Sequence, residues 1–81
     1  MTNAELEQLG RQAKEITANP AWSKIITGMV DDALEMMLNA STDEETIRIK
    51  AETRTLLRIQ SELETAIANG NIAKADLEEG K

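Results

Sequence analysis

Apolar residues recur at steps of three and four along most of the chain, the period of helices that pack through one face. From Asn3 to Ala18 the seam is Leu6, Leu9, Ala13 and Ile16, with charged and amide side chains around the rest of the circumference. So narrow a stripe over about two heptads predicts a helix that needs a neighbour to hold it in water. From Pro20 to Asn39 the pattern changes in kind. Ile25, Ile26, Met29, Val30, Leu34 and Met36 to Leu38 wrap more than half the girth, and Lys24, Thr27, Gly28, Asp31, Asp32 and Glu35 form a polar strip. A helix resting on one neighbour needs a stripe of only ~100°, so this second helix is expected to touch at least two others and to be the central element. From Thr42 to Asn69 the seam reads Ile49, Thr53, Leu56, Gln60, Leu63 and Ile67, widened by Leu57, Ile59 and Ala66.

The punctuation between these runs is explicit. Asn19-Pro20 places a capping side chain before a proline whose missing N–H a helix start does not need. Thr42 and Glu45 have capping-box spacing, and Asn69-Gly70-Asn71 reads as a glycine stop. The expected helices are therefore about 3–18, 20–39 and 42–69 in one domain over residues 1–70. A short frayed or weakly helical tail, 71–81, follows. The fold class is all-α: a hairpin of two long antiparallel helices with an additional N-terminal helix. If the hairpin turns about Ala40-Ser41, facing residue numbers sum to roughly 82, which sets Trp22 level with Gln60 and Lys50 level with Asp32. The third helix, at ~42 Å against ~30 Å for the second, outruns its partner. Its excess must be covered by the first helix of the same chain or by another subunit.

Composition sharpens that requirement. A chain of 81 residues buries a small core, and domains of this size commonly add disulfides, a metal or oligomerisation. There is no cysteine and no histidine, so oligomerisation into a helical bundle is the expected supplement. The interface is expected at Trp22, Ile26, Met29, Met37, Leu56, Leu63 and Ile67. Trp22 is the only aromatic residue, and the remaining apolar side chains suit packed helices rather than sheets. A net charge of −6 argues against a nucleic-acid-binding surface. Met1 to Glu5 is polar, so no signal peptide is expected. No stretch is apolar enough to span a bilayer, which points to the cytoplasm or, for a viral protein, the host cytoplasm or the virion.

Candidate chemistry is sparse. Asp31, Asp32 and Glu35 share a helix face and have the oxygen chemistry of a Mg²⁺ or Ca²⁺ site, but they read first as a solvated polar strip, and no metal site is expected. Lys50, Arg54 and Arg58 form a basic ridge at four-residue steps, suited to ion pairs or to an acidic partner surface. Arg11 stands four from Glu15, and Arg58 four from Glu62, spacings for weak pairs. Methionines 29, 36 and 37 suit either a core or an adaptable binding face. Gly28 marks either a close helix approach or a site overlain by a long side chain such as that of Arg54. No serine has a histidine to activate it and no phosphate-binding loop is present. No enzyme activity, cofactor or catalytic residue is expected.

The order Asn19-Pro20-Ala21-Trp22, an apolar helix, Asp43-Glu44-Glu45-Thr46-Ile47-Arg48 and a long amphipathic helix resembles small helical proteins of tailed bacteriophages, encoded among head, portal and packaging genes. The resemblance covers about residues 19–68, and Ala51-Glu52-Thr53 stands where those proteins have a mid-helix glycine. It implies a virion or assembly component with helical proteins as partners. Two alternatives differ in class: a small acidic protein that inhibits or modulates a host or partner protein, in the extreme as a nucleic-acid mimic, and a DNA-packaging accessory that uses the basic ridge.

Overall fold

The computed structural model describes residues 1–80 and is all-helical there, with three helices and no strands among the described residues: α1 (Asn3–Ala18), α2 (Pro20–Leu38) and α3 (Asp43–Glu79). Each start is capped as helix physics requires, because the first N–H groups of a helix have no internal acceptor. Thr2 Oγ1 accepts from the Glu5 amide (3.2 Å) while the Glu5 carboxylate accepts from the Thr2 amide (3.2 Å), a complete capping box. Asn19 Oδ1 accepts from the Ala21 amide at 2.8 Å with Pro20 in the first turn. At α3, Thr42 Oγ1 accepts from the Glu45 amide (3.1 Å), and the Glu45 carboxylate reaches back to the amide of Ser41 (3.2 Å).

The expected stop at Asn69-Gly70 does not occur. Residues 71–79, expected as a tail, continue α3 to Glu79; Lys81, the last residue of that tail, lies outside the described residues. The physical reason lies in the seam. Ile49, Thr53, Leu56, Gln60, Leu63 and Ile67 alternate steps of four and three, and Gly70 takes the next place in the same series. Its φ is not positive, so it makes no left-handed cap of the kind that ends helices. It is buried instead, as is Ala73 one turn on.

What buries them is α1. A Cβ built on Gly10 would lie 2.9 Å from the Ala66 carbonyl oxygen and 2.9 Å from the Gly70 Cα, and one built on Gly70 would lie 2.8 Å from the Gly10 Cα and 3.1 Å from the Leu6 carbonyl oxygen. Side chains essentially never fit at such distances, so two backbones meet here because both residues are glycine. Leu6 opposes Gly70 and Gly10 opposes Ala66, so α1 runs antiparallel to the second half of α3. Further along, residues of α2 and α3 share concavities in reversed order: Trp22 and Ile26 with Gln60 and Leu63, then Met29 and Ala33 with Glu52 and Leu56, then Met36 and Asn39 with Glu45 and Ile49. α1 and α2 thus lie end to end along α3, meeting each other only around the Asn19-Pro20 break, and the whole measures 60 × 24 × 13 Å. A helix of 37 residues spans ~55 Å, nearly that full length.

This arrangement reverses one expectation. α3 is the central element, because it touches both other helices, and its contact with α1 is far more extensive than its contact with α2. α2 has α3 as its main neighbour, despite its broad apolar girth. The core is correspondingly slight. Ala13, Ile26, Ala33, Ile49 and Ala73 are the buried hydrophobic residues, so Ile26 and Ile49 are the only ones larger than alanine among the described residues. Thr53, a polar residue in the seam, satisfies its hydroxyl by donating to the Ile49 carbonyl at 2.9 Å.

Candidate interaction surface

The structure sorts the expected interface residues by their place relative to the seam. Ile26 is buried, and Trp22, Met37, Leu56, Leu63 and Ile67 are half-buried, all within the contact between this chain's own helices. Met29 stands apart at 46% exposed. Trp22 and Gln60 do line one concavity, as the expected register places them, but no hydrogen bond joins them among the described residues.

The flank one position before the seam is apolar. Gly10, Thr17, Val30, Met37, Gln60 and Ile67 belong to the seam, and the residues that precede them are Leu9, Ile16, Met29, Met36, Ile59 and Ala66. The first five are each at least 40% exposed. Two open concavities place these residues on one broad side. One holds Leu9, Ile16 and Ala66 together with Gln12 and Glu62; the other holds Met29, Met36, Leu56, Glu52 and Thr55. On α3 the lining residues 52, 55, 62, 66 and 69 fall on a single ridge at three- and four-residue steps, which is why the two concavities share a side. This side was legible in principle. The same three–four series that marks the seam also marks its flank, provided the seam is assigned through Gly10 and Gly70 rather than through Leu9 and Ile16.

The opposite flank is polar. Glu7, Arg11, Lys14, Asn71 and Lys74 line its concavity beside α1, and Thr17, Ser23, Thr27 and Glu64 line the one beside the helix break. Leu34 and Leu57, each 51% exposed, are its apolar members. Arg11 pairs with Glu7 at 3.7 Å, one turn back rather than with Glu15. Arg58 pairs with Glu62 at 4.0 Å; both pairs are exposed and contribute little to stability. Lys50, Arg54 and Arg58 are all exposed, and no salt bridge joins Lys50 to Asp32 among the described residues.

Gly28 has nothing within 4 Å of a built Cβ, so neither a close helix nor the Arg54 side chain lies over it. Asp31, Asp32 and Glu35 are exposed on α2. No group of three or more potential metal ligands converges among the described residues, and no described helix is long and apolar enough to cross a membrane. Comparison with known protein families, curated proteins and solved structures finds no match.

Proposed function

We propose that this chain is a non-enzymatic assembly protein: a helical hairpin, its first arm broken at Asn19-Pro20, that self-associates through apolar helix faces into an oligomeric bundle. One observation carries the reading. Thirteen large hydrophobic residues are exposed while five hydrophobic residues are buried among the described residues, and soluble monomers rarely leave large contiguous apolar surface in water. Scattered exposed leucines would mean nothing, but here Leu9, Ile16, Met29, Met36 and Ile59 share one flank. Helix-on-helix docking is the mode that such a face supports. In keeping with its resemblance to small helical proteins of tailed bacteriophages, the chain acts as a virion or virion-assembly component, in the particle or the host cytoplasm, with copies of itself and other assembly proteins as partners.

The test is the solution mass by light scattering over a protomer concentration series from about 1 to 200 µM, the range in which weak and moderate homodimers dissociate. An oligomer whose mass rises toward a plateau supports the reading. A stable monomer throughout overturns it and leaves the small acidic inhibitor or modulator as the better account.

A further inference from the structure

Resting on that self-association, we propose that the interface is the flank bearing Leu9, Ile16, Met29, Met36 and Ile59, and that a second copy of the chain docks there in antiparallel orientation about a two-fold axis near Ile59. Three observations bear on the occupant.

The first is area. A side of 60 by 24 Å has a footprint of about 1,400 Å², and a stable interface needs ~800 Å² from each partner. One copy can therefore supply the whole of a standard interface from this side alone. The second is shape. The side is long and nearly uniform, and the partner best matched to it in length is another copy, in the isologous contact that two-fold dimers use.

The third is charge, and it sets the orientation. At the loop end the side carries Asp32, Glu35, Glu45 and Glu52 against Arg48. At the other end Leu9, Gln12, Ile16, Thr65 and Asn69 are uncharged, with Glu62 nearer the middle. A parallel pair would stack two acidic ends on each other, and like charges across an interface oppose association. An antiparallel pair lays each acidic end over the uncharged end of its partner. The opposite flank has no comparable case, because Glu7, Arg11, Lys14 and Lys74 interrupt it.

The decisive variants change residues already exposed in the single chain. Met29→Glu and Ile59→Glu should each halve the mass by light scattering, with helical circular dichroism retained. Leu34→Glu and Leu57→Glu, on the opposite flank, should leave the mass unchanged. Dissociation by the second pair and not by the first overturns the assigned face while leaving self-association intact, whereas a monomeric parent chain removes self-association itself. Because the chain has no cysteine, a single Glu44→Cys spin label reports orientation independently of those variants. The antiparallel pair places the two labels about 50 Å apart, twice the helix rise from residue 44 to the middle of α3. A separation of about 25 Å or less, as in a parallel pair, overturns the orientation.

Discussion

Three glycines sit inside helices of this chain, and replacing each by alanine should move stability in opposite directions. Gly28 faces open space, so Gly28→Ala gains the helix propensity of alanine, about 1 kcal/mol, with nothing to set against it. Gly70 gains the same propensity, but its new Cβ would stand 2.8 Å from the Gly10 Cα and 3.1 Å from the Leu6 carbonyl oxygen. Those atoms are backbone, so relief requires α1 to move off α3 as a body. Overpacking of this kind costs about 1–3 kcal/mol, and parting the helices also loosens the burial of Ala13 and Ala73, so the net expectation for Gly70→Ala is a loss of about 1–2 kcal/mol. Gly10→Ala should behave alike, because its Cβ meets the Ala66 carbonyl oxygen and the Gly70 Cα at 2.9 Å each. For a domain this small, about 1 kcal/mol corresponds to 4–8 °C in Tm. Gly28→Ala should therefore raise Tm by about that amount, and Gly70→Ala should lower it by about 5–15 °C. Thermal unfolding followed by circular dichroism at one fixed protomer concentration separates the cases, the fixed concentration being needed because self-association shifts Tm. If Gly70→Ala stabilised the chain as much as Gly28→Ala, the α1–α3 backbone contact argued from these distances would be refuted.

The remaining predictions concern the seam, the cap and the last two turns. Leu56→Asp should abolish both the helical signal and the oligomer, since it sets a charge in the half-buried seam between α2 and α3; an oligomeric, fully helical variant would contradict that placement. Thr42→Ala removes the oxygen that receives the Glu45 amide and should cost about 1 kcal/mol, read as a lowered urea midpoint at unchanged slope. Deleting residues 71–81 should expose the inner side of α1, because Ala73 is buried there. Amide exchange across Leu6 to Ala13 should then accelerate markedly, whereas unchanged protection would show that the last turns of α3 are dispensable.

Secondary structure was largely legible in the chain. The boundaries at Asn19-Pro20 and Ser41-Thr42 are local chemistry: a side-chain oxygen two or three residues from an unsatisfied amide, or a ring that fixes φ. Such signals do not depend on what packs nearby. The capping box of Thr2 and Glu5 is of the same kind and equally local. The surface was less legible. Trp22, Ile26, Leu56 and Leu63 are the strongest apolar positions by pattern, and for that reason they are consumed by contacts within the chain. The exposed flank is made of the weaker set displaced from them by one residue. Which flank is apolar follows from the seam, and the seam in α1 runs through Gly10, a residue that no hydrophobic pattern selects.

The amino-acid sequence by itself determined that the chain is helical, where two of its three helices begin beyond the first, and that its apolar surface exceeds what those helices can cover. Each follows from interactions spanning four residues or fewer, or from composition. Only the tertiary structure decided the role of Gly70. Read locally, Asn-Gly-Asn is a stop, because glycine lacks a Cβ and frees the backbone to turn. In the folded chain the missing Cβ admits the backbone of α1, sixty residues earlier, and the helix runs on beneath it. The same atom's absence supports opposite outcomes, and only a partner distant in sequence selects between them. That partner makes α3 rather than α2 the centre of the fold and leaves one long side of the molecule apolar and open.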